Sequence, residues 1–333
     1  MFYKTKINIM KNTKILLLSV LSAFLFFASC DDDDDAVVIN EANELIEYLE
    51  STGGTVVNTF PVMIKTTDVN SAVLTSADQY VMDIRDADDY TISHIEGAVN
   101  VLASDVLTHY EANNLQDYET VVIACYSGQT AGWANGLLRT MGYTNTKDMK
   151  WGMCGWNEST SGSWTSANNV GNMYATQLVP DVTAKAVEGN LPELNTGETD
   201  AEDILRDRVE TVFAEGFGEA NVSSAAVFAA SENYYIVNYW NETDYSWGHI
   251  PGAIQYTPTA SLTSDTFLKT LPTDKIIAVY CYTGQTSAHV AAYLRVLGYN
   301  AKSILFGVNG MSHDDMPGTV WADTEIHDYT FGQ

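Results

Sequence analysis

The sequence predicts an α/β protein built from two copies of one domain, each a mainly parallel β-sheet with helices on both faces. The segment DADDYTISHIEGAVNV (86–101) aligns with NETDYSWGHIPGAIQY (241–256) at an offset of 155 residues. VVIACYSGQTAGWANGLLRTMGY (121–143) aligns with IAVYCYTGQTSAHVAAYLRVLGY (277–299) at an offset of 156. Shared features in one order at a nearly constant offset indicate an internal duplication.

Each copy contains the strand signals of a parallel sheet. TVVIAC (120–125) and KIIAVYC (275–281) are continuous runs rich in β-branched residues. Such runs are typical of strands that are buried on both faces. QYVMDIRD (79–86) and NYYIVNYW (233–240) are shorter apolar runs of strand composition. Two strands of each sheet are therefore predicted here.

Helical patterns complete the βαβ units. The helix after each cysteine loop is predicted to end at Gly142 or Gly298, the usual type of C-terminal stop. A further helix is expected at 41–54, closed by glycines, with its counterpart at 203–217. The apolar positions of the two loop helices are Trp133, Leu137, Leu138 and Met141, and Val290, Tyr293, Leu294 and Leu297.

The length of 333 residues suggests two domains, and 46% hydrophobic with 18% charged residues is typical of a globular protein. The stretch 179–200 contains Pro, Gly and Thr with little periodicity, as linkers do. The predicted organisation is a signal peptide (1–29), an acidic tether (30–40), domain 1 (41–178), the linker (179–200) and domain 2 (201–333).

The N-terminus has the pattern of a targeting segment. A lysine-bearing start precedes the apolar run 15–29, which ends in small residues directly before Cys30. This arrangement resembles a bacterial lipoprotein signal, which implies that Cys30 is the lipidated N-terminus; a plain secretory peptide is the alternative. The DDDDD run (31–35) resembles the surface-export signals of Bacteroidetes lipoproteins. We therefore expect a lipid anchor in the outer membrane, with the protein facing the periplasm or the cell surface.

The charge limits the choice of partners. The formal net charge is −27, and removal of residues 1–29 with their four lysines leaves 12 basic against 43 acidic residues, or −31. Such a surface repels phosphate backbones and anionic headgroups. Nucleic acid is therefore not expected as a partner, and membrane contact is expected only through the lipid.

With Cys30 lipidated, three cysteines remain: Cys125, Cys154 and Cys281. An odd number outside the cytoplasm does not make a disulfide framework, and the spacing contains none of the paired ligands of zinc sites. No metal or cofactor is expected. At least one of these thiols is therefore expected to be free, which makes it a candidate for a reactive cysteine.

Cys125 and Cys281 each end a buried strand and begin a polar, glycine-containing loop that leads into a helix. Loop amides without intrahelical partners can turn toward the sulfur, and the helix start should lower the cysteine pKa. The sequence thus predicts a nucleophile in an anion cradle. The predicted substrate-binding loop residues are Tyr126, Ser127, Gly128, Gln129 and Thr130 in copy one, and Tyr282, Thr283, Gly284, Gln285 and Thr286 in copy two.

These features resemble a tandem rhodanese, the sulfurtransferase fold. The resemblance rests on VMDIRDADDYTISHIEGAVN with ACYSGQTA and WGMCGW in copy one, and on GHIPGAI with YCYTGQTSA and FGVNGM in copy two. It implies that Cys125 and Cys281 are nucleophiles that accept a sulfane sulfur as a persulfide and pass it to cyanide or a thiol. It also implies structural roles for His94 and His249. The alternative is a surface-anchored module that binds a partner or senses sulfur or redox state without catalysis.

Several positions depart from related patterns. Phosphatases with a similar loop carry an arginine six positions after the cysteine, where this chain has Ala131 and Ser287. Phosphate chemistry is therefore excluded. Neither loop contains a basic residue, which favours persulfides, polysulfides or protein-bound sulfur over thiosulfate.

The two copies also differ from each other. The Asp83-x-Arg85 pair, expected to form an ion pair under the loop, becomes Asn238-x-Trp240 in copy two. Both cysteine loops are complete, so the sequence ranks the two nucleophiles equally. Cys154 is a candidate to resolve an oxidised or persulfidated Cys125 as a disulfide, with a spare small residue as the alternative.

Overall fold

The computed structural model describes residues 39–51 and 56–333. The predicted signal peptide, Cys30, the DDDDD run and the predicted helix end at Gly53 and Gly54 lie outside the described residues. Within the described ranges, no helix combines the length and the apolar character needed to cross a bilayer.

Each domain contains a parallel sheet, as the sequence predicts, and the structure shows five strands in each. The strand order is β1-β5-β4-β2-β3 in domain 1 and β6-β10-β9-β7-β8 in domain 2. The first sheet consists of β1 (Met63–Ile64), β2 (Gln79–Asp83), β3 (Val99–Asn100), β4 (Thr120–Ala124) and β5 (Thr146–Met149). The second consists of β6 (Asn221–Val222), β7 (Tyr234–Asn238), β8 (Ile254–Gln255), β9 (Ile276–Tyr280) and β10 (Ala301–Ile304).

Helices connect the strands and cover the sheets. In domain 1 they are α1 (Glu41–Ser51), α2 (Thr66–Thr75), α3 (Ala87–Ile92), α4 (Val106–Ala112), α5 (Gln129–Thr140) and the short α6 (Gly162–Thr165). In domain 2 they are α7 (Ala201–Glu215), α8 (Ser224–Ala229), α9 (Glu242–Trp247) and α10 (Gln285–Val296). The predicted helices of the two copies are confirmed, and Gly142 and Gly298 follow α5 and α10 in the left-handed conformation.

The central strands explain the position of the cysteines. Four of the five residues of β4 and of β9 are buried, as their β-branched runs predict. Parallel strands carry their carboxyl ends to one edge of a sheet, and β2 pairs with β4 up to Asp83 and Ala124. The residue after each central strand, Cys125 or Cys281, therefore lies at the edge where ligands bind in such sheets.

The two domains meet along α5 and α10. A Cβ on Gly132 would lie 3.0 Å from the Gln285 carbonyl oxygen, and one on Gly136 would lie 3.0 Å from the His289 Cα. Because these glycines have no side chain, the helix backbones approach closely. Since each cysteine loop precedes one of these helices, the packing brings the two loops to the same interface.

The core continues through this interface. One cluster of buried side chains contains residues of both domains, among them Leu137 and Val290. Trp133 of α5 also packs edge-on against Phe213 of α7, with 5.4 Å between the ring centroids. The duplicated domains are therefore parts of one hydrophobic core.

The last segment of each domain packs on the other domain. At the end of domain 1, the Gly171 amide donates to the Asn309 carbonyl (2.9 Å) and the Tyr174 amide to the Met311 carbonyl (2.9 Å). The predicted linker then begins with a bridge between Val179 and His249. It is therefore packed on domain 2 at its start.

The C-terminal segment of domain 2 packs in turn on domain 1. The His327 amide donates to the Gly155 carbonyl (3.2 Å), the Tyr329 amide to the Trp156 carbonyl (2.9 Å), and the Gly332 amide to the His94 carbonyl (2.8 Å). The end of domain 2 thus covers the segment of domain 1 that follows β5.

Candidate active site

Cys125 lies between β4 and α5, and its thiol is surrounded by backbone donors. The Sγ atom accepts hydrogen bonds from the amides of Gly128 (3.1 Å) and Ala131 (3.3 Å). Gly128 has a φ of +85°, a conformation that favours glycine and that turns the loop around the sulfur. The predicted inward orientation of the loop amides is present.

Cys281 has the same backbone cradle and additional hydroxyl groups. Its Sγ atom accepts from the amides of Gly284 (3.2 Å) and Ser287 (3.3 Å). The Ser287 Oγ lies 3.6 Å from the sulfur and the Thr283 Oγ1 lies 4.0 Å from it. The domain 2 site therefore holds more polar hydrogens near the sulfur than the domain 1 site.

The electrostatics of Cys125 differ from the expectation for a helix start. Burial raises the pKa of the Cys125 thiol to about 11, although the amides of Ala131, Ser127 and Gly128 act in the opposite direction. The Asp148 carboxylate adds to the increase. The predicted lowering of the pKa is therefore wrong for Cys125, because removing the sulfur from water outweighs the loop dipoles.

The loop residues differ in exposure. Tyr126 is exposed, and the other partly accessible side chains of the loops are Ser127, Thr130, Tyr282 and Thr286. The buried ones are Gly128, Gln129, Thr283, Gly284 and Gln285. The accessible rim of each loop thus carries hydroxyl groups, and its base is closed.

The two glutamines extend across the domain interface. Gln129 accepts a hydrogen bond from the Phe306 amide at its Oε1 (2.7 Å), and Gln285 accepts one from the Trp151 amide (3.1 Å). Each glutamine also lies where a Cβ on Gly284 or Gly128 of the opposite loop would overlap it. The loops therefore support one another.

A substitution at Gly284 tests whether the two loops support one another. Its φ of +81° and the closeness of a Cβ to the Phe306 amide (2.8 Å) both oppose a side chain. Gly252 provides a control, because its φ is +80° and a Cβ there would meet nothing within 4 Å. We expect Gly252→Ala to cost about 1–2 kcal/mol of unfolding free energy from the backbone conformation alone, and Gly284→Ala about 1–3 kcal/mol more from overpacking. Denaturant unfolding measures both, and equal losses would contradict the interlocked loops.

A buried ion pair supports the domain 1 loop, as the sequence predicts. Arg85 Nη2 lies 2.6 Å from Asp83 Oδ2, and Arg85 Nε lies 3.0 Å from Asp83 Oδ1. The guanidinium lies over the Tyr126 ring, 5.9 Å from its centroid. It also donates to the Ser93 carbonyl. Arg85 therefore connects the strand end, the turn before His94 and the first loop residue.

Domain 2 replaces this ion pair with aromatic packing. Trp240 stacks on Tyr282 with a centroid distance of 4.8 Å, and the Asn238 Nδ2 donates to the Tyr280 hydroxyl (2.9 Å). A Cβ on Gly318 would overlap the Tyr282 ring, so the C-terminal segment also packs closely on this loop. The loss of the charged pair in copy two is compensated by stacking.

A cleft of about 490 Å³ lies beside the domain 1 loop. Its lining includes Arg85, Tyr126, Met153, Thr160 and Ser163. The hydroxyls and the Met153 thioether line the cleft, whereas the Arg85 guanidinium is 2% exposed and bound to Asp83. The cleft therefore borders the domain 1 loop at Tyr126.

Cys154 lies next to the Cys125 loop, as predicted for the segment after β5. Its amide donates to the Tyr126 carbonyl (3.1 Å), and the preceding Met153 amide donates to the Cys125 carbonyl (2.8 Å). Its side chain is buried in a cluster with Trp151 and Trp164, and this burial raises the pKa of the thiol. Among the described residues, the three cysteines are free thiols. A resolving role for Cys154 stays a prediction.

The two repeated histidines bind backbone carbonyls. His94 Nδ1 lies 2.9 Å from the Tyr90 carbonyl oxygen, and His249 Nδ1 lies 2.8 Å from that of Tyr245. Each ring stacks on the same tyrosine. His249 Nε2 additionally faces the Asp181 carbonyl at 2.8 Å. These contacts fit the structural role implied by the resemblance.

Sequence reasoning missed a buried polar network behind the loops. Asp148 Oδ1 lies 3.0 Å from His289 Nε2 of the other domain and accepts from Asn135 Nδ2 at 3.0 Å. The two copies differ at these positions, because the counterpart of Asp148 is Ser303 and the counterpart of His289 is Trp133. A comparison of the copies for unmatched polar residues would have identified these positions.

Comparisons with known proteins agree with the geometry. The family model of the rhodanese-like domain matches residues 67–159 and 228–313, which include both cysteine loops. Thiosulfate sulfurtransferase PspE of Escherichia coli (strain K12) is 28% identical over 72 residues, which cover 22% of this chain and 69% of that protein.

Two solved structures are also similar to the chain. Thiosulfate sulfurtransferase from Pseudomonas aeruginosa is 17% identical with a TM-score of 0.31, covering 85% of this chain and 48% of that one. A human single-domain sulfurtransferase is 20% identical with a TM-score of 0.23, covering 26% of this chain and 87% of that one. Because the family model matches more than half of the residues, in two copies, the chain belongs to the rhodanese-like domain family.

Proposed function

We propose that this protein is a sulfurtransferase that holds a sulfane sulfur as a persulfide on a loop cysteine and passes it to a thiol or cyanide. The observation that carries the proposal is the convergence of two loop amides on the sulfur of both Cys125 and Cys281. Fixed amide dipoles at this position stabilise an anionic sulfur without reorganisation.

The proposed reaction has two balanced steps. The cysteine thiolate attacks the outer sulfur of a donor persulfide, so that a new S–S bond forms and the donor S–S bond breaks. The electron pair leaves with the donor thiolate, which takes up the proton lost by the cysteine. The acceptor thiolate or cyanide then attacks the terminal sulfur of the cysteine persulfide and releases the cysteine thiolate. No external oxidant or reductant is needed.

The charge distribution supports a persulfide, a polysulfide or a protein-bound sulfur as the donor. Neither loop contains Lys or Arg, and the chain after residue 29 has a net charge of −31. A dianion such as thiosulfate would be repelled more strongly than a monoanionic persulfide. The proposal places the enzyme on the outer membrane through lipid on Cys30, facing the periplasm or the cell surface; this part is supported by the sequence pattern alone.

Intact mass spectrometry tests the function. After incubation with a small organic persulfide, we expect a gain of about 32 Da, one sulfur atom, that is reversed by a thiol or cyanide. Cys125→Ser, Cys281→Ser and the double variant assign the gain to a cysteine. The absence of any reversible gain in the wild type would instead support the alternative, a binding or sensing module without catalysis.

A further inference from the structure

Two of the differences between the cysteine sites lie at equivalent, buried positions behind the loops. Ser287, the sixth residue after Cys281, corresponds to Ala131 in domain 1. Ser303 in β10 corresponds to Asp148 in β5. All four side chains are fully buried. The backbone cradles are alike, so these two substitutions change the side chains behind the sulfur while the amide donors stay the same.

In domain 2 the two serines form a chain of hydroxyls that ends at the sulfur. Ser287 Oγ lies 3.6 Å from Cys281 Sγ and 2.8 Å from Ser303 Oγ. Both hydroxyls also reach the Gly284 carbonyl, at 3.2 Å and 3.1 Å. A hydroxyl can accept from a thiol and can rotate to donate to an anion. When the sulfur is ionised, Ser287 can donate to it while Ser303 donates to Ser287.

In domain 1 the residues at these two positions do not stabilise an anionic sulfur. Ala131 offers only its backbone amide to Cys125. The buried Asp148 carboxylate, held by His289 and Asn135, disfavours a second negative charge nearby. Both sulfurs are buried, Cys125 at 2% and Cys281 at 1% exposure, so burial does not distinguish the sites. The Asp148 carboxylate is a further cause that raises the pKa of Cys125. An anionic sulfur is therefore opposed in domain 1.

We propose that Ser287, oriented by Ser303, is a positioning residue that stabilises the anionic Cys281 sulfur. Domain 2 is then the sulfur-carrying site, and Cys125 remains a neutral thiol. The expected difference in thiol reactivity follows from the side chains around each sulfur, whereas its use in sulfur transfer rests on the proposed function.

Alkylation of the intact protein by iodoacetamide tests this assignment, with each cysteine followed by peptide mass spectrometry. At pH 7 we expect Cys281 to react at least about tenfold faster than Cys125, because only thiolate reacts. Ser287→Ala should slow Cys281 about tenfold or more, the effect of one hydrogen bond to a charged group, and leave Cys125 unchanged. Ser287→Thr should retain the rate, since it keeps the hydroxyl.

Further measurements separate this role from a structural one. The deficit of Ser287→Ala should shrink as the pH is raised, because the thiolate then forms without help from the hydroxyl, whereas a packing defect would not shrink. Ser303→Ala should slow Cys281 by a smaller factor, and Ser312→Ala, at another buried serine of domain 2, should have no effect. Equal rates of Cys125 and Cys281, or an unchanged rate in Ser287→Ala, would overturn the proposal.

The outcome is independent of the test of sulfur transfer, because alkylation needs no sulfane sulfur. If the alkylation rates are as expected but the protein shows no gain of sulfur by mass spectrometry, only the proposed function is overturned. Persulfide formation without an effect of Ser287→Ala would overturn the role of the hydroxyl only.

Discussion

Cys281→Ser is expected to reduce sulfur transfer from a small persulfide to a thiol acceptor by about 100-fold or more, since a serine hydroxyl cannot form a persulfide. The remaining transfer would have to pass through Cys125. Burial raises the pKa of Cys125 to about 11, so its thiolate is scarce near pH 7. Quantification of persulfidated acceptor by mass spectrometry measures the effect.

Cys125→Ser is the matched control for this prediction. The two cysteines occupy equivalent positions with equivalent amide donors, so any general effect of the substitution is shared. We expect Cys125→Ser to keep transfer within about twofold of the wild type, because Cys281 carries the sulfur. If Cys125→Ser loses the activity and Cys281→Ser keeps it, the assignment of the two domains is reversed.

Arg85→Ala is expected to cause a large loss of stability. The substitution leaves the Asp83 carboxylate, 1% exposed, without its cation. Breaking a buried pair from one side typically costs about 3–5 kcal/mol. The packing of the guanidinium over Tyr126 is lost as well. The free energy of unfolding in denaturant measures the loss.

Domain 2 supplies the control for this second prediction. The double variant Asp83→Asn with Arg85→Trp introduces the pair that domain 2 carries as Asn238 and Trp240. It removes both charges and offers an indole to stack on Tyr126, as Trp240 stacks on Tyr282. We expect it to be more stable than Arg85→Ala. A loss below about 1 kcal/mol for Arg85→Ala would show that the ion pair does not support the loop.

The parts of the fold that are determined by residues adjacent in the sequence could be predicted. The β-branched runs before Cys125 and Cys281 identify the central strands, because a strand buried on both faces must be apolar along its whole length. The glycines of the loops identify the strand-to-helix turns. Duplication strengthened each prediction, since every local signal occurs twice.

The domain interface was not predictable in the same way. Gln129 was expected only as a member of its own loop, yet it accepts a hydrogen bond from Phe306, 177 residues away. Gln285 makes the equivalent contact with Trp151. No local pattern encodes a partner at such a separation, and a glutamine in a polar loop is equally compatible with solvent.

The sequence by itself determined the duplication, the two parallel sheets and the placing of a cysteine at the ligand-binding edge of each, because periodicity and strand composition are local properties of the chain. Only the tertiary structure decided how the two cysteines differ. Their loops are nearly identical, but β5 places Asp148 behind one of them and β10 places Ser303 behind the other. The stability of an anionic sulfur depends on burial and on charges brought together from distant segments, and folding alone sets both.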